Sequence, residues 1–284
     1  MRKINFTKMV ASGNDFVVLR IPGTRDPGLR ELAKKICDRK YAVGADGMLL
    51  LEKSKRADVR MRVFNADGSE AQMCGNGARC VALYMSHRSP LTAHRSQIKI
   101  ETKAGLIGSQ VKGDNVKIKF TDPKDLKLNI PIKVNSRLLR VNFINTGVPH
   151  AVIFCEGLDK MDVFNLGRAI RFHKKFSPAG ANVDFVEVSD RNSLTIRTYE
   201  RGVEDETLAC GTGSVAAALI TSCQLSTLNC QQFNVHTKSK EILKVYFDKI
   251  NNGFKNVWLE GRAKIVYKGE YYSNEGRTYR AKRT

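Results

Sequence analysis

The chain has 284 residues, 42% of them apolar and 27% charged. At roughly 150 residues per domain, this length fits two domains that each bury a core, and the composition excludes a disordered or low-complexity chain. The 48 Lys and Arg against 28 Asp and Glu leave a net charge of +20, which favours solubility and loose attraction to polyanions but specifies neither a fold nor a partner. No apolar run approaches the roughly 18 residues of a membrane-spanning helix, and Arg2-Lys3 leads into mixed sequence, so no membrane partner is expected. The seven cysteines are Cys37, Cys74, Cys80, Cys155, Cys210, Cys223 and Cys230. None forms a C-x-x-C pair or zinc-finger spacing, which predicts reduced thiols, a cytoplasmic location and no metal.

In chain order, residues 15–19 are the first buried-strand candidate. Leu29, Leu32, Ala33, Ile36 and Cys37 then recur at helical spacing, closed by Arg39 and Lys40. Residues 59–65 alternate like a strand. Cys74-Gly75-Asn76-Gly77 opens a stretch that is apolar on nearly every side through 80–85, and a helix apolar all round must be buried all round. Strand-like runs follow at 98–102 and 116–120. The charged, turn-rich 122–131 stretch is expected to be the interdomain crossing. A second series then begins: a strand at 151–154, a helix opening at Leu166, Ala169 and Ile170, and an alternating run at 194–200. Cys210-Gly211-Thr212-Gly213 leads into apolar 215–220, with strands at 242–247 and 257–260 and a basic tail at 277–284.

The two series match. Cys74 and Cys210 lie 136 positions apart, as do Glu70 and Glu206, and as do Gly44-Ala45-Asp46 and Gly180-Ala181-Asn182; Phe64 and Tyr199 lie 135 apart. Four features in one order at nearly one offset indicate a duplicated domain, since solenoid repeats are much shorter. The predicted fold is α+β, with two pseudo-symmetric lobes from an internal duplication, each a mixed sheet wrapped around a central buried helix. The lobes are expected at 1–121, completed by 267–284, and at 122–266.

A helix N-terminus carries unpaired N–H groups and a partial positive charge, and glycine beside the cysteine lets a carboxylate approach them. The same field is expected to lower the cysteine pKa. Two such sites facing each other across the domain interface would suit the inversion of one acidic carbon: a thiolate removes the proton from one face, and a thiol delivers one to the other. The substrate would be an amino acid whose carboxylate binds the helix starts, and no cofactor is needed. Cys80, Cys155, Cys223 and Cys230 lack this context and read as packed or incidental, and Cys37 lies on an apolar helix face.

These blocks resemble the diaminopimelate epimerase family, essentially end to end. The resemblance is carried by Gly13-Asn14-Asp15-Phe16-Val17, Gly44-Ala45-Asp46-Gly47, Phe64-Asn65-Ala66-Asp67-Gly68-Ser69-Glu70 and Met73-Cys74-Gly75-Asn76-Gly77. It continues through Asn145-Thr146-Gly147-Val148-Pro149-His150, Gly180-Ala181-Asn182, Tyr199-Glu200-Arg201-Gly202 and Glu206 to Gly213. It implies interconversion of LL- and meso-diaminopimelate, in lysine and peptidoglycan precursor synthesis, by a homodimeric enzyme. It further implies Cys74 and Cys210 as the acid/base pair, with the backbone around Gly75-Asn76 and Gly211-Thr212 holding the reacting carboxylate. His150 and Glu200 would flank the reacting amino group and orient it or assist the thiols. Asn14, Asn65, Asn182 and Arg201 would read the distal amino-acid end, where a second carboxylate suits an arginine and a second ammonium suits carbonyl oxygens. Two positions depart from many relatives. Val148 replaces an asparagine that helps bind the distal end, a contact Asn145 or another group would have to supply, and Gly47 stands where some relatives carry glutamine.

Two other readings compete. A proline or hydroxyproline racemase would keep the two-thiol chemistry without needing Asn65, Asn182 and Arg201. Nucleic-acid binding would use the positive charge, but the basic residues are scattered over 53–56, 168–175, 238–240 and the tail, with no aromatic-interleaved ribbon. No specific nucleic-acid partner is therefore expected.

Overall fold

The N-terminal alternation of apolar and polar residues becomes a ten-residue strand, β1 (Arg2–Ala11), in a computed structural model that describes residues 2–21, 26–87, 96–225, 231–251 and 253–273. Cys230 and the basic tail 277–284 lie outside the described residues. The chain divides into two units, Met1–Ile118 with Arg262–Thr284 and Lys119–Gly261. In the first, β1 is followed by β2 (Asn14–Leu19), α1 (Asp26–Ile36), β3 (Gly47–Glu52), β4 (Val59–Asn65) and β5 (Glu70–Ala71). Then come α2 (Gly75–Ser86), β6 (Gln97–Thr102), β7 (Gly105–Lys112) and β8 (Asn115–Lys119).

The second unit repeats this order with β9 (Lys124–Val134), β10 (Arg137–Asn145), β11 (Pro149–Phe154), α3 (Val163–Arg171), β12 (Asn182–Asp190), β13 (Ser193–Glu200) and β14 (Asp205–Thr207). It closes with α4 (Gly211–Gln224), β15 (Gln232–His236), β16 (Ile242–Ile250) and β17 (Gly253–Arg262), after which β18 (Lys264–Ser273) returns to the first unit. Ladder directions agree step for step. β2–β3 and β11–β12 are parallel, β3–β4 and β12–β13 antiparallel, and β4–β6 and β13–β15 parallel. β18 lies antiparallel along β1 as β9 lies along β10.

Each unit packs helices on both faces of its sheet. On one face, α1 joins Ile4, Phe6, Val17, Leu19, Met48, Leu50 and Phe64 in a core, and α3 joins Ile153, Val183, Phe185 and Tyr199. On the other face lies the central helix. α2 buries residues 76–83 and α4 buries 213–222 without an exposed stripe. Ala216, Ala217 and Ala218 keep α4 slim, so strands from β10 through β16 pack against it. The helices that are apolar all round are thus the buried ones.

Two sequence readings change. The 122–131 stretch is not an irregular crossing: most of it is the exposed strand β9, whose charged residues bond through their backbone to β10. The repeat interval also slips by one inside the strands. Met48 faces Phe64 and Val183 faces Tyr199, so Gly47, rather than Asp46, is the counterpart of Asn182. Among the described residues no helix is long and apolar enough to cross a membrane.

Candidate active site

Both motif cysteines are helix N-caps. Cys74 has extended backbone (φ −140°, ψ 120°), and its sulfur accepts the Gly77 N–H at 3.4 Å; Cys210 (φ −108°, ψ 113°) accepts the Gly213 N–H at the same 3.4 Å. The sulfur occupies the place a Ser or Asp oxygen usually takes, so each thiol is held at the positive end of a buried helix. Gly77 and Gly213 have no room for a side chain. A Cβ on Gly77 would lie 3.0 Å from Leu49, and one on Gly213 would collide with Asp184 Oδ1.

In the first unit, Asn14 Oδ1 lies 4.0 Å from Cys74 Sγ, and its amide donates to Asp46 Oδ2 at 2.9 Å. Asp46 and Asp15 are gathered by Arg39, each at 2.7 Å, and Lys8 pairs with Asp15 at 2.6 Å. Burial acts to raise the Asp15 carboxyl, but Arg39 and Lys8 outweigh it and hold the group well below the usual carboxylate range. This cluster fixes the loop that presents Asn14. Asn65 is exposed and closes the 65–69 turn, donating to Ser69 Oγ at 2.9 Å. The side chain of Asn76 is buried and accepts from Arg79 at 2.9 Å, which leaves the backbone of Gly75 and Asn76 at the helix start.

In the second unit, His150 Nδ1 lies 2.7 Å from Asp184 Oδ2, both side chains being fully buried, and Thr198 donates to Asp184 Oδ1 at 2.8 Å. Asn182 Nδ2 lies 3.3 Å from His150 Nε2, while Asn182 Oδ1 accepts the Arg201 N–H at 2.8 Å. Arg201 itself donates to Ala179 O at 3.2 Å. Thr212 Oγ1 lies 3.3 Å from Cys210 Sγ, and Thr212 O accepts from Thr146 at 3.1 Å. Asn145, the candidate substitute for the contact absent at Val148, instead accepts the Gly147 N–H at 3.0 Å in its own turn.

The helix start does not bring about a net lowering of Cys210. Burial first, then the Glu200 and Asp184 carboxylates, push this thiol well up, and the Thr212 hydroxyl and Gly213 N–H offset only part of the rise. Burial likewise raises Glu200, with Thr207 acting in the opposite sense. At rest Cys210 is therefore a protonated thiol beside acidic neighbours.

Glu70 and Glu206 are more than dipole partners for the helices that follow. Arg62 grips Glu70 with bonds of 2.8 and 2.9 Å while Lys103 adds a third contact at 2.6 Å. Arg197 grips Glu206 at 2.7 and 2.9 Å, with Lys238 at 2.8 Å. Each triad ties the β4–β5 or β13–β14 hairpin to its unit just before the cysteine. The sequence reading missed Arg62, Lys103, Arg197, Lys238, Asp184 and Thr198. The first four recur at an offset of 135, a signal available beforehand, and Asp184 is a lone acid in an apolar run. Among the described residues, no three His, Cys, Asp or Glu groups gather as a metal-ligand cluster.

A sequence profile of the family described as Diaminopimelate epimerase matches residues 6–124 and 142–265. A diaminopimelate epimerase from Caldanaerobacter subterraneus subsp. tengcongensis is 37% identical, over 94% of this chain and 99% of the relative. A Bacillus anthracis phenazine biosynthesis protein of the PhzF family shares the fold, with TM-score 0.74 and 19% identity over 96% of this chain and all of that one. A hydroxyproline epimerase from Agrobacterium vitis also shares it, with TM-score 0.72 and 15% identity over 95% and 91% of the two chains.

Proposed function

The chain belongs to the diaminopimelate epimerase family, and from that premise we propose that it interconverts LL- and meso-diaminopimelate by proton transfer between two cysteines. This places it among the isomerases of amino-acid biosynthesis, on the route to lysine and peptidoglycan precursors. The observation that carries the reading is the matched pair of thiol caps, Cys74 and Cys210, each accepting at 3.4 Å from the third residue of a buried helix.

Inversion needs one group to take the α-proton and another to return a proton to the opposite face. One thiolate removes hydrogen from Cα, and the C–H electron pair moves into the substrate carboxylate. The N–H groups around Gly75-Asn76 and Gly211-Thr212 stabilise the charge as it grows there. The other thiol then protonates Cα, and the enzyme ends with the two sulfurs' protonation states exchanged. Because Cys210 rests as a thiol, it serves as proton donor in one direction of turnover, and the opposite direction starts from the exchanged state. His150 and Glu200 flank the α-amino group, and Asn14, Asn65, Asn182 and Arg201 read the distal end. We further read the protein as cytoplasmic and homodimeric, without a specific nucleic-acid partner. Sedimentation at micromolar concentration checks the dimer.

Incubation with LL-diaminopimelate in deuterated water tests the reaction. The expected result is one α-deuterium in the inverted product, with proline and monoamino acids left unchanged. Cys74→Ala and Cys210→Ala are each expected to lower epimerisation by at least about 10²–10⁴-fold, since one face of the carbon loses its proton carrier. Either variant retaining most of the activity would end the two-cysteine account.

A further inference from the structure

We propose that Asp184 is a positioning residue that holds His150 as a neutral imidazole, protonated on Nδ1, so that Nε2 is an acceptor for the substrate's α-ammonium group. The substrate's identity in this statement rests on the reading above; the state of the imidazole does not.

The duplication supplies an internal control. By strand register, His150 stands where the first unit has Phe16, since Phe16 faces Gly47 and His150 faces Asn182. Asp184 stands where the first unit has Leu49, since Leu49 faces Val63 and Asp184 faces Thr198. The helix side agrees, because the residue crowding Gly77 is Leu49 and the residue crowding Gly213 is Asp184. One scaffold thus carries Phe16, Gly47, Leu49 and Val63 in one unit and His150, Asn182, Asp184 and Thr198 in the other, all buried. The apolar set suffices for folding. A buried acid and imidazole cost desolvation energy that an apolar set avoids. Their presence in only one unit therefore points to chemistry.

Hydrogen bonding fixes the proton. The Arg201 N–H takes Asn182 Oδ1, which turns the amide nitrogen toward His150. A donor facing Nε2 requires a lone pair there, so the ring hydrogen sits on Nδ1 and is donated to Asp184 Oδ2. Thr198 donates to the other carboxylate oxygen and keeps Asp184 from rotating. A carboxylate behind an imidazole selects its tautomer and orientation. The Asn182 contact, at 3.3 Å, is long, and an ammonium N–H is the stronger donor for the same lone pair. A doubly protonated ring would instead set cation against cation. The acidic groups facing this pocket are Asp184 on β12, Glu200 on β13 and the Cys210 thiol at the start of α4.

The test is nitrogen NMR of the full-length protein labelled with ¹⁵N-histidine. Of its five histidines, His150 is assigned as the signal set lost in His150→Gln. At neutral pH the wild type is expected to show one protonated and one lone-pair nitrogen for His150. Asp184→Asn is expected to mix the tautomers and to lower kcat/KM about tenfold or more. Thr198→Val copies Val63 of the first unit; it is expected to shift the same signals partially, with a loss of about threefold, and supplies both readouts should the Asp184 variant not fold. A wild-type His150 that is doubly protonated, or variants that leave both tautomer and kcat/KM unaltered, would overturn the proposal. The NMR needs no substrate. A protein with the expected tautomer but no turnover of diaminopimelate supports this proposal and sinks the reaction reading alone.

Discussion

Cys74 and Cys210 are the same residue at the same helix position in two copies of one scaffold, yet their surroundings set them apart. Cys74 is partly exposed beside the Asn14 carbonyl. Cys210 is buried and shares its pocket with two carboxylates. Burial also raises Cys155 and Cys223 and pushes Cys37 up to about 12. Iodoacetamide at neutral pH should therefore label Cys74 about tenfold or more ahead of Cys210, as mass spectrometry of the peptides would show, because the thiolate is the reactive form. Equal labelling would contradict the reading of Cys210 as a buried, protonated thiol. The two motif glycines make a second contrast. Gly77→Ala presses on the movable Leu49 side chain, whereas Gly213→Ala presses on Asp184, which His150 and Thr198 hold in place. Thermal melts and turnover should show the Gly213 variant as the more damaged by a wide margin. The thiols were legible because Cys-Gly-x-Gly occurs twice ahead of an apolar run. The rise at Cys210 was not, because Glu200 and Asp184 reach it only once β12 and β13 pair.

At the level of elements, the Arg–Glu–Lys triads secure the short hairpin before each central helix. The Glu70 carboxyl is lowered to about 2 from an ordinary 4.5, first by the Arg62 hydrogen bonds and then by Lys103, against the opposing effect of burial. The unfolded chain therefore binds this proton more readily than the folded one. The triad's stabilisation is fully present above about pH 4.5 and is lost as the pH falls toward 2. Glu70→Gln should cost about 2–3 kcal/mol in urea unfolding at neutral pH, and the gap from wild type should close on acidification. A gap that stays constant down to pH 3 would refute the ion-pair account. Glu206→Gln should behave similarly, because Arg197 and Lys238 lower its carboxyl against the effect of burial. The offsets of the two glutamates and of their partners were readable in advance, but which residue grips which emerges only with the ladders, since Arg62 and Arg197 lie on β4 and β13 while Lys103 and Lys238 lie in turns. The strand β9 escaped the sequence reading for a different reason. It alternates apolar and polar residues from Leu126 to Val134, but its first half is exposed, and Asp122-Pro123, Asn129 and Pro131 gave the stretch turn signals that outweighed the alternation.

At the scale of the whole chain, the duplication was the most legible feature, because an interval near 136 survives in cysteine, glutamate and glycine positions. The matched ladders explain why: each unit must rebuild one cradle around one helix. What the interval could not show was the divergence inside it, where a polar set at 150, 182, 184 and 198 replaces an apolar one at the register counterparts. Closure of the first unit depends on β18, which pairs with β1 from Arg2↔Ser273 to Val10↔Lys264. A variant ending at residue 262 should therefore show fast hydrogen exchange in β1 while β12 and β13 stay protected. Unchanged protection of β1 would mean that β2 alone suffices to hold it. The same strand sets an order of events during translation. The ribosome makes β18 only after every strand of the second unit has emerged, so the earlier-born half of the protein must wait, with one edge unfinished, for its younger twin to be complete.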